Sequence, residues 1–298
     1  MAIIELQNVT KDYGDSRGIF NINLSIELGE AVGFVGTNGA GKTTTIRHLM
    51  GFLKSNSGTV KIKNLDAWYD AAEIKQWIGY IPGEIAFPDV KTGWEFIHQQ
   101  AELLQLKDLS FANHLIERLQ LDPSANIKRM SKGMKQKTAI VAALMANSPI
   151  LIFDEPTTGL DPLMREEFIQ IVKEEKAKGK TIFMSSHMFE EIEETCDKVV
   201  MIKEGKIITM ESISTIMSNE NQQFIIEFSN DQECNRFMKE QIDSVAISNT
   251  TVSVDVDNQT LNTLLAVLSK YQFDNLTEQK HTLQDQFYNL YSGGQLHD

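Results

Sequence analysis

The sequence predicts an α/β fold: a parallel sheet with helices packed on it, a helical insertion, and a small α+β domain to follow. Three observations predict it. The apolar run Ala31–Val35 leads through a glycine-rich turn into a helical stretch over residues 42–50. Apolar runs at 150–153, 181–185 and 198–202 alternate with helical stretches at 162–178 and 188–196, the mark of strands separated by crossover helices. Past about Ser212 the order changes to β-α-β-β-α-β, the split βαβ pattern.

Phe20, Ile22, Leu24, Ile26 and Leu28 alternate with mostly polar neighbours, which makes 20–28 a half-buried strand, and 2–9 reads as a second one. Strand 31–35 follows Gly29-Glu30, and Gly51 stands where a helix end favours a left-handed residue. Between Thr92 and Ala146 the apolar spacing is helical throughout, an insertion into the α/β core. The lysine- and glutamate-rich run 173–180 reads as a solvated helix end. In the C-terminal part, 224–228 is a strand, and Cys234, Phe237, Met238 and Ile242 line one helix face. Residues 245–247 and 252–256 pair around Asn249-Thr250. Leu261, Leu264, Leu265 and Leu268 make a second stripe, 276–280 is a last strand and 283–291 a closing helix. These segments divide the chain into residues 1–214 and an accessory α+β domain over 215–298.

The 298 residues are 42% apolar, enough to bury a core, so wholesale disorder is excluded. With 28 Lys and Arg against 41 Asp and Glu, the net charge is −13, the wrong sign for coating nucleic acid. Most of that acidity lies in 211–298, which holds 4 basic and 13 acidic residues and is not expected to rest on an anionic membrane. The longest apolar run, 139–146, is eight residues, far short of the roughly 18 of a spanning helix. The N-terminus lacks the basic and apolar regions of a signal peptide, so none is expected. Cys196 and Cys234 are expected to be reduced and buried.

The strongest motif is Gly36-Thr37-Asn38-Gly39-Ala40-Gly41-Lys42-Thr43, a match to G-x-x-x-x-G-K-[ST] between a strand and a helix. Its glycines let backbone amides converge on phosphate oxygens at a helix N-terminus. Lys42 would reach the β- and γ-phosphates and the Thr43 hydroxyl would ligate Mg²⁺. The spacing is not G-x-G-x-x-G, so a dinucleotide fold is not supported. A second motif, Ile150-Leu151-Ile152-Phe153-Asp154-Glu155-Pro156, ends a buried strand with paired carboxylates. Asp154 would hold Mg²⁺ and Glu155 would polarise the attacking water. Ser131 and Gly133, at the start of the apolar helix 138–146, make a further helix N-terminus, and His187 directly follows strand 181–185. His48, His98, His114, His281 and His297 show no ligand spacing and are assigned no function.

With these motifs in order, residues 2–215 resemble the ATP-binding subunit of an ABC transporter. The resemblance implies a P-loop NTPase core with an N-terminal antiparallel β subdomain and an inserted helical subdomain over about 84–146. Gly36, Asn38, Gly39, Gly41, Lys42, Thr43 and Thr44 would hold ATP, with Tyr13 where the family stacks an aromatic ring on adenine. Ser131 and Gly133 fill the signature motif, Asp161 ends the loop that crosses a dimer interface, and His187 matches the switch histidine at the γ-phosphate. The signature Ser131-Lys132-Gly133-Met134-Lys135-Gln136 and the C-terminal domain are similar to the ABC-2-type exporter subfamily. Two departures stand. Lys132 and Met134 occupy places where the usual signature carries Gly and Gln, which the ABC-2-type variant accommodates. In Ile78-Gly79-Tyr80-Ile81-Pro82-Gly83-Glu84, Gly83 occupies the place where the family carries a Gln or Glu sensor, leaving Glu84 as the residue that would substitute by reaching in.

The resemblance further implies that two copies, or this chain and a related one, sandwich two ATP molecules. Export would be driven through a separate integral membrane permease, with the chain held at the cytoplasmic face of the cell membrane. Phe87, Trp94 and Phe96 read first as core aromatics of the helical subdomain and second as permease contacts. Two alternatives remain. A soluble ABC-type ATPase acting on ribosomes or nucleic acid usually carries two cores or a long coiled-coil insertion, and neither is present. A regulatory ATP-binding module would need poor hydrolysis, against which Glu155 and His187 speak.

Overall fold

The computed structural model describes residues 2–217, 222–240, 242–256, 260–279 and 282–291. His281, His297 and Lys280 lie outside the described residues. The chain divides into two compact units, Met1–Ile213 and Ser214–Asp298.

The first unit begins with β1 (Ala2–Asp12) and β2 (Gly18–Glu27), then β3 (Ala31–Val35) and α1 (Lys42–Leu49). β4 (Ser57–Ile62), β5 (Leu65–Asp66), the single turn α2 (Ala71–Ile74) and β6 (Ile78–Ile81) follow. The inserted helices are α3 (Gly93–Leu103), α4 (Ser110–Arg118) and α5 (Lys132–Leu144). The unit closes with β7 (Ile150–Asp154), α6 (Pro162–Ala177), β8 (Thr181–Ser186), α7 (Phe189–Thr195), β9 (Lys198–Lys203) and β10 (Lys206–Ser212).

Two sheets result. One is antiparallel, in the order β2-β1-β4-β5, and forms the N-terminal β subdomain. The other runs β10-β9-β3-β8-β7-β6, and all its pairings are parallel except β9–β10. Its central strands β3 and β7 are buried at every position, as strands covered by helices on both faces must be. Ile22, Ile26 and Val60 of the first sheet share one core with Phe34, Ile152 and Phe183 of the second.

The second unit contains α8 (Ile213–Met217, which straddles the boundary), β11 (Gln222–Phe228), α9 (Asp231–Phe237), β12 (Ser244–Ala246), β13 (Thr251–Val256), α10 (Leu261–Leu268), β14 (Phe273–Gln279) and α11 (Leu283–Tyr291). Its antiparallel sheet has the order β12-β13-β11-β14, the ferredoxin-like arrangement. Phe228, Phe237, Val252, Leu264 and Leu268 build its core, so both helical stripes read from the sequence face inward except at Leu265, which is exposed.

Four strands escaped the sequence reading: β4, β5, β6 and β10. β6 matters most, because Gly79 in its middle lets the strand approach α5: a Cβ there would lie 2.3 Å from Ala143 O. The 173–180 run is also not a plain solvated helix end. Glu175 is 1% exposed, bonded to Lys180 (itself 6% exposed) and to Lys178 at 2.6 Å. A buried carboxylate needs such partners to offset its lost hydration. Phe87 and Phe96 meet edge-on with ring centroids 4.8 Å apart and pack against Val90, Ile127 and Met130, the core role read first for them.

Both cysteines are free and buried, and burial pushes the Cys196 thiol up to about 12. Thiolate is the reactive form. The native protein at pH 8 should therefore leave Cys196 unmodified by a disulfide reagent such as DTNB over minutes, with both thiols released in denaturant.

Candidate functional site

The loop between β3 and α1 turns through Gly39 (φ +83°) and Gly41 (φ +114°), left-handed conformations that cost other residues roughly 1–2 kcal/mol. No side chain caps α1, so its first-turn amides face outward as donors. They open into a cleft of about 500 Å³ whose lining includes Tyr13, Asn38, Gly39, Lys42, Thr43 and Glu155. Gly41 and Thr44 line it as well, and Arg17 and Glu204 are lining residues that the sequence reading did not name. Tyr13, 52% exposed, stands at one wall with the Lys11 ammonium 5.7 Å from its ring centroid. Gly36 is needed for a different reason: a Cβ there would lie 2.5 Å from Ile202 O.

Lys42 is 7% exposed. Its Nζ donates to Gly36 O at 2.6 Å and sits 3.3 Å from Glu155 Oε1. Glu155 is a non-glycine residue at φ +50°, a conformation that side chains seldom adopt without outside support. That support comes from β8: the Glu155 amide donates to Ser185 O and to Ser185 Oγ, each at 3.1 Å. The resulting turn aims the carboxylate between Lys42 and His187, whose Nδ1 donates to Glu155 Oε2 at 2.5 Å.

Asp154 is completely buried at the end of β7. Its Oδ1 accepts from Ser185 Oγ at 2.7 Å, while Oδ2 has no hydrogen-bond partner among the described residues. An orphaned buried carboxylate oxygen calls for a cation or a donor, which is the fit expected of a Mg²⁺ ligand. Among the described residues no three His, Cys, Asp or Glu cluster as a metal cage. Mg²⁺ is usually held by one or two carboxylates together with substrate phosphates, so it needs no such cage. Gly83 adjoins this oxygen: a Cβ there would come within 3.0 Å of Asp154 Oδ2. The longer residue the family carries does not fit here unless Asp154 moves, and Glu84 is exposed and outside the cleft lining.

Ser131, Gly133 and Asp161 lie outside the cleft lining and are gathered elsewhere. Ser131 caps α5 by accepting from Met134 N at 3.2 Å, and Asp161 caps α6 by accepting from Met164 N at 3.0 Å. A Cβ on Gly133 would meet Gly159 O at 2.7 Å, and Gln136 Nε2 donates to Pro156 O at 2.6 Å. The start of α5 is thus keyed to the loop after β7. Ser185, Thr157 and Glu191 were missed as site residues. Ser185-Ser186 before His187 was the only signal for the first, and nothing local marks the others.

The chain is similar to known proteins. Residues 19–158 match the ABC transporter family. The chain is 35% identical to the bacitracin transport ATP-binding protein BcrA of Bacillus licheniformis, over 69% of this chain and 68% of that one. It is 33% identical to the ABC transporter ATP-binding protein NatA of Bacillus subtilis, over 73% of this chain and 93% of that one. The chain belongs to the ABC transporter ATP-binding proteins. The dimeric cassette MJ0796, solved in a post-hydrolysis state with ADP and Pi, superposes with a TM-score of 0.63 at 25% identity, covering 70% of this chain and 98% of that one. The family fold is a P-loop NTPase and its activity is ATP hydrolysis, so this chain is an ATPase.

Ser185→Ala should destabilise the ABC core by about 1–3 kcal/mol, because Asp154 would then be buried with neither oxygen satisfied. Denaturant unfolding checks this.

Proposed function

We propose that this chain powers export through a separate membrane permease, by hydrolysing ATP at a site that two chains complete together. The observation that carries the reading is the division of the motif residues. Lys42, Thr43 and Glu155 line one cleft, with His187 bonded to Glu155 and Asp154 next to it in the chain, whereas Ser131 caps α5 and Gly133 packs on Gly159 of the loop after β7. A second chain, identical or related, would bring its Ser131 and Gly133 to the phosphates held here. MJ0796 is a dimeric cassette, which supports this reading.

In the proposed reaction the loop amides of Gly39, Gly41 and Lys42 bind the phosphates, and Tyr13 stacks on the adenine. The Lys42 ammonium, already facing the carboxylate of Glu155, turns its charge to the β- and γ-phosphates. Thr43 and Asp154 would hold Mg²⁺, which supplies neutralisation of phosphate charge during transfer. Glu155 takes a proton from the attacking water, a general-base role worth roughly 10²–10⁴ in rate. His187 holds the Glu155 carboxylate through Nδ1 and reaches toward the γ-phosphate. Hydrolysis removes the charge bridge between the chains, so they part.

Among the described residues no helix is long and apolar enough to cross a membrane. The permease is therefore proposed as a separate protein that holds this chain at the cytoplasmic face. Export is inferred from relatives such as BcrA, a bacitracin transport ATP-binding protein, and from the similarity of the signature Ser131–Gln136 to that of exporter subunits. No nucleic acid is proposed as a partner.

Glu155→Gln should bind ATP, turn over at least about tenfold more slowly, and accumulate as an ATP-bound dimer in size-exclusion chromatography. Unchanged turnover would remove Glu155 from the base role. Lys42→Ala should abolish tight binding of a fluorescent ATP analogue, and normal affinity would refute the phosphate-loop assignment.

A further inference from the structure

We propose that Glu191, a buried carboxylate on α7 outside the motifs, is a positioning residue that clamps the loop carrying Glu155 to the loop carrying His187. Glu191 is 1% exposed. Its Oε1 accepts the hydroxyl of Thr157, two residues past Glu155. Its Oε2 accepts the hydroxyl of Ser186 at 2.8 Å, immediately before His187. Ser186 Oγ also accepts from Met188 N at 2.9 Å, which leaves its own proton committed to Glu191. Thr157 and Ser186 are themselves buried, and the Arg165 guanidinium of α6 stands 3.6 Å from Oε1.

One carboxylate therefore spans the β7 loop and the β8 loop with one oxygen each. The pair it holds in register is the Glu155–His187 contact, which is short at 2.5 Å. Burial pushes the Glu191 carboxyl up, so the group is costly where it stands. A hydrophobic side chain would fill the space at lower cost but could accept neither hydroxyl.

The clamp rests on the base role proposed for Glu155, and its test separates the two. Glu191→Ala should lower kcat by about tenfold or more while leaving nucleotide affinity within about twofold, because the phosphate loop is untouched. Glu191→Gln keeps an accepting oxygen for Ser186, and its amide can donate to the Thr157 hydroxyl, so it should recover most of that loss. In a His187→Ala background, Glu191→Ala should cost little more, since the group it positions is already gone. Wild-type kcat in Glu191→Ala would overturn the clamp. So would an equal loss in both backgrounds, or a loss of kcat matched by a loss of affinity. Should Glu191→Ala fail to fold, the Thr157→Val, Ser186→Ala double variant replaces it, and normal kcat there overturns the clamp. If instead Glu155→Gln hydrolyses ATP normally, it is the base assignment that fails.

Discussion

The Ser185 side chain is the constraint on which the rest of the site depends. Parallel pairing of β7 with β8 sets Asp154 opposite Ser185. From that register one hydroxyl donates to Asp154 and accepts from the Glu155 amide, while the Ser185 carbonyl takes the same amide. The arrangement holds a buried carboxylate at the strand end and a second one, one residue on, at positive φ. Consecutive strand residues point to opposite faces; the turn at Glu155 breaks that alternation and brings its carboxylate round to Lys42 and His187. Without the turn, the Asp154 and Glu155 side chains would point to opposite faces of the sheet.

Much of this was legible in the sequence because it is local. The phosphate loop, its flanking strand and helix, and the Asp154-Glu155 strand end are contiguous, and their chemistry follows from residue type and spacing. The βαββαβ order of the second unit could be read because each amphipathic stripe stands alone between turns. What escaped reading depends on pairing between distant segments. β6 is only four residues long, carries a glycine, and becomes a strand because β7 pairs with it. Glu175 looked like one charge in a solvated run, yet the end of α6 tucks it inward against Lys180. Glu191 sits in an acidic stretch, Glu190-Glu191-Ile192-Glu193-Glu194, where only the fold singles out one carboxylate as buried.

Gly83 illustrates how a departure from a family pattern acquires a physical reason. The sequence showed only a missing side chain. The structure adds that the free oxygen of Asp154 lies so close that even a methyl group would press on it. A side chain at position 83 would therefore start in close contact with the Asp154 carboxylate.

The account therefore turns on the two strand-end carboxylates having separate duties, Asp154 toward the cation and Glu155 toward water. The most direct measurement is Mg²⁺-dependent single-turnover hydrolysis in Asp154→Asn. The account predicts that ATP still binds without metal, while the Mg²⁺ concentration for half-maximal rate rises by at least about tenfold, since a charged ligand has been lost. An unchanged Mg²⁺ dependence would contradict it.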